Sequence, residues 1–567
     1  MPKAVFVFPS DTANETINAY LDRYPKHERY LLSDDRPDEW ESNQRFDFYK
    51  VGAPRHLHWN LKMLGPVDVI IDAWKGDSHR HLANLEAMFF HLRQGGLFII
   101  PWASVTGDRL PLVDRLESIS RRLISGPAPG ERRSETEFIR SVTGVRIDRR
   151  EARIEKRGHH LLKLRDEEAS RVLPHRSPIT VNELATTKPG TLSFSKPVES
   201  FGESRTMPHL VETVDYPALH LRHYEGKVGL VSNSLVYTEH SVLPDSFRHH
   251  LEDVPKNPRL TAVTPDFGRV QPQFVPKERL DGSYFLLDSE NSGHFGHLMT
   301  EVISRLWAWD QAKAADPKLK ALFRIRHTNE RFPRLESTLF RAYGIAAEDI
   351  VWTDHPVWLE SSWGATPQFH NQKPHYVHPG IIETWHRIRD GLTAGTGETF
   401  DKIFVSRGSD LKARRCLNQD AVEEVFRQAG FEIILPELYP LAEQAHIFRN
   451  ARVIAGLGGS AMFNAIYADR LEHMIVINQE AYTARNEHLI AMALDAKLTY
   501  VWSRPILEHP DGGWSREAYR SDWVFDFDRN GDVLRQVARC TGGGCAQGPE
   551  PEETDVHAPP TPGDDAD

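Results

Sequence analysis

Residues 402–406, 431–436, 452–456, 473–478 and 498–502 read KIFVS, FEIILP, RVIAG, HMIVIN and LTYVW. Between these apolar runs lie segments with helical spacing, Asn418–Gly430, Leu441–Asn450, Ser460–Tyr467 and Arg485–Asp495. Short strands, each trailed by one helix, predict a parallel sheet covered on both faces. Open sheets of this kind take their ligands beyond the carboxyl ends of the strands. The strand-to-helix turns of this segment are therefore where chemistry is expected.

Toward the N-terminus the rhythm continues. SYFLLD (283–288), ALFRIRH (321–327) and DIVWTD (349–354) read as strands, with helices over His294–Ala314, Pro333–Tyr343 and Gly380–Leu392. A Gly/Thr-rich stretch, TAGTGET (393–399), closes this first lobe, and two such lobes leave a cleft between them. Tyr216–Ser246 reads as a β-meander with turns at Glu225-Gly226 and Ser232-Asn233. Thr180–Pro208 is rich in Ser, Thr, Pro and Gly, as a linker or long loop is.

The first hundred residues also alternate. AVFVFP (4–9), VDVIIDA (67–73) and LFIIP (97–101) read as strands, with helices over Thr12–Tyr24 and His79–Gln94. The segment from Val67 to Trp102 resembles the second half of a class I methyltransferase-like Rossmann domain. Yet Pro9, Ser10 and Asp11 follow the first strand, an N-cap signal where a glycine-rich cofactor loop would stand. In VRIDRREARIEKRGHHLLKL, Glu151 and Glu155 interleave the basic residues, which predicts a solvated strand face or hairpin.

These readings divide the chain into 1–105, a Rossmann-like domain; 106–215, a connecting region and linker; 216–395, the first lobe with its meander; 396–510, the second lobe; 511–540, a C-terminal extension; and 541–567, a disordered acidic tail. The fold class is α/β, a GT-B-like pair of Rossmann-like lobes preceded by an N-terminal α/β Rossmann-like domain.

Composition bounds the function. The 567 residues carry a net charge of −11, against the basic face of a nucleic-acid binder, and seven of the acids fall in Glu550–Asp567. Three cysteines are too few for a disulfide framework. The N-terminal apolar run is a strand rather than a signal peptide, and no stretch approaches the roughly 18 apolar residues of a membrane span. The expectation is a reduced, cytoplasmic protein without a transmembrane segment, with peripheral membrane contact left open.

Four clusters carry chemistry. In HFGHLMTE (294–301), His297 and Glu301 stand one helical turn apart, so the carboxylate can orient the imidazole as a general base; a capping or core histidine is the plainer alternative. After KIFVS come Arg407, Arg414, Arg415 and Asn418, where guanidiniums suit a diphosphate or simply a solvated basic turn. Glu437 follows the next strand and could accept from sugar or ribose hydroxyls, while Glu443 and Gln444 read as capping groups. In GLGGSAMFN (456–464) a strand ends in glycines and Ser460 opens a helix, a phosphate site or a tight packing turn.

Taken in order, these motifs resemble the family 61 glycosyltransferases (the DUF563 group), which include capsule and cell-surface polysaccharide enzymes. The family pattern places His297 and Glu301, then Ser406-Arg407, then Arg415 and Asn418, then Glu443-Gln444, then Gly459, Ser460 and Asn464. Three positions depart from it: His294 stands for Asn, Gln419 for Glu, and Gly458 for a histidine that lies near the donor pyrophosphate. The resemblance implies inverting transfer of a sugar from a nucleotide donor, UDP-linked, to a glycan or lipid-linked glycan acceptor. His297 and Glu301 would be catalytic; Arg407, Arg415, Asn418, Glu437, Gly459, Ser460 and Asn464 would bind the donor. The nucleotide-sugar is a co-substrate, and with no DxD motif at a suitable strand end no cofactor or metal is expected. Two alternatives stand beside this reading: a methyltransferase using S-adenosylmethionine through the N-terminal domain, and an inactive carbohydrate-binding protein.

Overall fold

The computed structural model describes residues 1–35, 47–51, 54–126, 130, 132–202, 211–248, 251–289, 291, 294–325, 331–392, 397–408, 413–511 and 513–539. The acidic tail expected over 541–567 lies outside them. The architecture is mixed α/β with Rossmann-like sheets, as the strand-helix alternation predicts.

The second lobe is the parallel sheet that its strand–helix rhythm predicts. Its strands Lys402–Val405, Glu432–Ile434, Val453–Leu457, His473–Gln479 and Lys497–Ser503 are all parallel, with Lys402–Val405 seated between Glu432–Ile434 and Val453–Leu457. In order along the chain this is the 2-1-3-4-5 winding, whose topological switch falls between the first and third strands. The turns after Val405 and Leu457 therefore open at the place where the helices diverge to opposite faces.

The sixth strand of that sheet comes from far away. Val198–Phe201 pairs in parallel with Leu498–Val501, so the region expected to be a linker supplies an edge strand. Thr180–Thr186 likewise pairs antiparallel with the strand His220–Val231, and Gly190–Ser193 pairs with Thr213–Tyr216. Polar side chains alternate along these strands because one face is exposed, which hides them among loop-like residues.

The first lobe is an eleven-stranded mixed sheet. Its parallel part, Val357–Ala365, Glu278–Leu286, Lys320–Arg324 and Ile350–Thr353, carries the helices that face the cleft. The turn expected at Glu225-Gly226 is absent: His220–Val231 runs through it, with a bulge between Glu225 and Val228 where Gly226 takes φ +131°. The turn at Ser232-Asn233 exists one residue later, with Asn233 and Ser234 at φ 63° and 49°.

The N-terminal sheet has seven strands in the order Asp47–Lys50, Glu28–Ser33, Lys3–Val7, Val67–Asp72, Leu92–Pro101, Glu151–Lys156, Val142–Ile147. It does not stop at residue 105, because the hairpin Val142–Lys156 completes it antiparallel to Leu92–Pro101. The hairpin is not a solvated ribbon either: Glu151 is buried and accepts two 2.9 Å hydrogen bonds from the Arg23 guanidinium. One core joins this sheet to the first lobe, with Ile154, Leu173, Tyr224 and Leu359 in the same apolar cluster. The residues after 510 also belong to the body of the protein, since Trp523 and Leu534 pack under the second-lobe sheet with Phe404 and Ile475.

Candidate functional site

A cleft of about 940 Å³ opens between the two lobes at the switch point. From the first lobe come His294, His297, Thr300, Arg248 and Asn371; from the second come Arg407, Arg414, Ser460, Tyr482, Trp514, Arg516, Tyr519 and Arg520. Five arginines line it, and no carboxylate does among the described residues.

The helix carrying His297 is not uniform. It runs as α over Phe295–His297, π over Leu298–Val302, 3₁₀ over Ile303–Ala308 and α over Trp309–Ala315. A wide turn of this kind re-aims the side chains on it. Here it sets His297 Nδ1 2.6 Å from Glu301 Oε1, which leaves Nε2 for the cleft. Arg248 Nε also stands 2.6 Å from Glu301 Oε1, and its Nη2 donates to Asn371 Oδ1 at 3.1 Å. Arg305, one turn on, bonds the Ala365 carbonyl instead at 2.7 Å. Burial and the neighbouring His297 lower the pKa of His294, whose ring meets His297 edge-on at 4.8 Å between centroids.

Gly296 allows the lobes to meet at this point. A β-carbon there would stand 3.0 Å from the Phe463 ring and 3.3 Å from Ser460 Cβ, so any side chain would push His297 away from the second lobe. Across the cleft, Asn371 Nδ2 donates to Asn486 Oδ1 at 2.8 Å and ties the same two surfaces.

On the second lobe, the chain leaves Val405 and brings Arg407 against the glycine turn: Nη1 approaches the Gly458 carbonyl at 3.4 Å. Burial and Arg414 pull the Arg407 guanidinium down to about 10. Gly459 holds φ +148°, a conformation open to glycine, and its N–H donates to buried Glu487 Oε1 at 2.7 Å. Tyr482 donates to the same oxygen at 3.3 Å, and burial raises the Glu487 carboxyl to about 7.

The expected donor-binding residues separate into two groups. Arg407 and Ser460 line the cleft and Gly459 forms its turn. Arg415, Asn418, Glu437 and Asn464 do not line it. Arg415 is exposed and held by Asp522, Nε–Oδ2 2.9 Å. Asn418 clasps the backbone of Phe525, accepting from its N–H at 2.7 Å and donating to its carbonyl at 2.9 Å. Glu437 is exposed beside Gly408, and Asn464 is buried with its amide on the Ala461 carbonyl at 3.2 Å. Gln444 caps, donating to Tyr439 O at 2.9 Å.

Arg414 takes the place expected for Arg415. Its φ of +58° turns its guanidinium inward, 4.9 Å from the Tyr482 ring centroid and 5.3 Å from that of Tyr519. Two aromatic faces hold it in cation–π contact at the wall of the cleft. The resemblance named Arg415, and it is the adjacent Arg414 that faces in. Arg248, Tyr482, Trp514, Arg516, Tyr519 and Arg520 went unmarked because they lie outside the motif runs. Glu487 had a signal: an acid inside the apolar helix NEHLIAMA, every residue of which is buried.

The strand ends of the N-terminal sheet are occupied by its own side chains. Asp72 receives His81 Nδ1 at 2.8 Å and Asn84 Nδ2 at 3.1 Å, and Asp34 receives the Ser10 N–H at 2.7 Å.

Fold and site thus define a two-lobed α/β protein whose interlobe cleft is lined by guanidiniums and faced by a carboxylate-backed histidine. The sequence model of the family described as Glycosyltransferase 61 matches residues 295–475, which include every site residue expected from the sequence. Over this segment the chain is similar to that family. No curated protein matches the chain. Among solved structures it is similar to the MycE methyltransferase of the mycinamycin pathway with Mg and SAH, at 17% identity and TM-score 0.24, over 28% of this chain and 46% of that one. An O-methyltransferase family protein from Burkholderia thailandensis gives 14% and 0.18 over 27% and 51%, and PigF with SAH gives 13% and 0.17 over 27% and 50%. The chain spans about half the length of these structures. Among the described residues, no helix is long and apolar enough to cross a membrane.

Proposed function

We propose that the protein is an inverting glycosyltransferase that moves a sugar from a nucleoside-diphosphate donor, UDP-linked, to a glycan or lipid-linked glycan acceptor in cytoplasmic polysaccharide assembly. The observation that carries this reading is the arginine lining of the cleft, opposed by His297. A diphosphate leaving group gathers negative charge as the glycosidic bond breaks, and fixed guanidiniums stabilise that charge. Arg407 and Arg414, with the helix start at Ser460, are suited to it.

The acceptor hydroxyl loses its proton to His297 Nε2 as its oxygen attacks the anomeric carbon. The Glu301 carboxylate, on Nδ1, fixes the tautomer and supports the imidazolium that forms. Arg248 on the same carboxylate holds it in place. The electron pair of the broken bond leaves with the diphosphate, and attack from the opposite side inverts the anomeric centre. Guanidiniums would supply the charge that a divalent cation provides elsewhere, so the reading includes a metal-independent reaction.

An inactive carbohydrate binder would follow from the loss of the family histidine at Gly458, but Asn478 fills the space that its side chain would take. The methyltransferase reading is disfavoured by Asp72 and Asp34, which are engaged within the fold. Turnover of a panel of nucleotide-sugars by the purified chain, followed by mass spectrometry, tests the proposal. Release of free nucleoside diphosphate from at least one donor is expected; inertness toward the whole panel, with or without glycan acceptors, would overturn it.

A further inference from the structure

A second concentration of cations lies where the N-terminal sheet meets the first lobe. Lys156 ends the strand Glu151–Lys156 and Arg176 ends the helix Ala169–Arg176. Both line a pocket of about 230 Å³, together with His91, His160 and, at its rim, the exposed Arg93. Lys156 is 1% exposed and Arg176 4%.

Neither cation forms an ion pair with a carboxylate among the described residues. Lys156 Nζ donates to the Gly158 carbonyl at 3.0 Å, and Arg176 Nη1 reaches the Leu61 carbonyl only at 3.4 Å. Arg176 Nε, His91 Nδ1 and His160 Nδ1 are buried without a hydrogen-bond partner. The one carboxylate in the lining, Glu239, is largely in solvent beside His240, 3.6 Å away. Burial pushes Lys156 down to about 7 and Arg176 down to about 9. Holding both groups in their cationic forms in one pocket with no counter-charge is unfavourable, and a bound anion would offset that cost.

We propose that this pocket binds a doubly charged tetrahedral oxyanion of the phosphate class, received by the Lys156 ammonium and the Arg176 guanidinium with Arg93 at the mouth. An ammonium and a fork of guanidinium N–H groups are the donors such an anion takes, and two buried positive charges match two negative ones better than a carboxylate would. The volume lies below that of pockets for drug-sized ligands, which suits a free phosphate or the phosphate end of a small ester rather than a nucleotide. The site sits in the joint between the N-terminal sheet and the sheet that carries His297, so its occupant would clamp the two together.

Thermal melting and titration calorimetry on the full chain test this with inorganic phosphate, glycerol phosphate and chloride at matched ionic strength. Because the interlobe cleft also holds arginines, the variants Lys156→Met and Arg414→Ala are compared. Phosphate should raise the melting temperature of wild type and of Arg414→Ala by several degrees beyond chloride. Lys156→Met should melt no lower than wild type in chloride and lose most of the phosphate shift. Should Lys156→Met not fold, Arg93→Gln at the rim gives the same readout and should weaken phosphate at least threefold. Binding of glycerol phosphate as well would identify an ester as the source, and binding of inorganic phosphate alone a free ion. A wild-type chain indifferent to phosphate and its ester, or a wild-type response retained in both Lys156→Met and Arg93→Gln, would overturn the proposal.

Discussion

The side-chain amide of Asn478 occupies the space that a side chain on residue 458 would need. Nδ2 of Asn478 lies in van der Waals conflict with an ideal β-carbon there, and Val476 Cγ1 would stand 3.2 Å away. The histidine of the family pattern therefore cannot simply be restored. Gly458→Ala should destabilise by about 1–3 kcal/mol, the usual cost of overpacking. Asn478→Ala should relieve it, so a double-mutant cycle by chemical denaturation should show coupling of about 1 kcal/mol or more. Additive effects would mean that the two positions do not share the space.

Arg407 and Arg414 form the proposed diphosphate site, whereas Arg415 is turned outward onto Asp522. Arg407→Ala and Arg414→Ala should each raise the transfer barrier by about 2–4 kcal/mol, the range for losing one electrostatic stabiliser. Arg415→Ala should leave kcat/KM within about twofold, as an exposed ion pair is worth little. The three rates, measured with one donor, decide the assignment; a large loss in Arg415→Ala alone would reverse it.

His297 and Glu301 are tested on the acceptor side. His297→Ala should lower kcat by about two to four orders of magnitude. Donor affinity should change little, since the proposed diphosphate contacts belong to the opposite lobe. Glu301→Gln should cost less, because an amide still bonds Nδ1 but supports the imidazolium poorly. If Glu301→Gln is the more damaging change, the carboxylate is the base and the histidine positions it.

Glu487 links the site to pH. Burial raises its carboxyl from 4.5 to about 7, so the folded chain keeps this proton where the unfolded chain has lost it. Its contribution therefore favours folding at low pH and is lost as pH rises from about 4.5 to about 7. Glu487→Gln retains an oxygen for the Gly459 N–H and carries no charge. Relative to wild type it should gain stability across that window, by order 1–3 kcal/mol at pH 8. Parallel melting profiles of the two proteins from pH 4 to 8 would contradict this.

Full activity should survive excess chelator, given the guanidiniums in the cleft. Loss of turnover with chelator and its rescue by manganese or magnesium is the contrary outcome.

Regular features of the fold were legible and local reversals were not. KIFVS and RVIAG announce parallel strands because both of their faces are buried, and the order of the motifs places the cleft between the lobes. The spacing of His297 and Glu301 foretold their contact because one helical turn joins them, even through a π segment. The family pattern named Arg415, but a left-handed residue between strand and helix reverses which neighbour faces inward, and Arg414 turns to the cleft. Arg248 lies in a distant loop, and only the folded chain brings it to Glu301. Arg305 stands four residues beyond Glu301, yet the 3₁₀ turn after residue 302 carries its guanidinium to the Ala365 carbonyl.

The strand Val198–Phe201 sets a schedule for the making of this protein. Its partner, Leu498–Val501, emerges 300 residues later. At about 5–20 residues per second the ribosome needs roughly 15–60 s to deliver it. During that interval the early strand waits beside a lobe that has not been synthesised, with its hydrogen-bonding edge open to chance pairing. The N-terminal sheet can close early, but the second-lobe sheet is completed only once Leu498–Val501 is made, by capturing a strand made long before. A nascent chain stalled before residue 498 should thus carry a folded front and an unsealed edge strand, which makes the interval between residues 201 and 498 a period of need for chaperones.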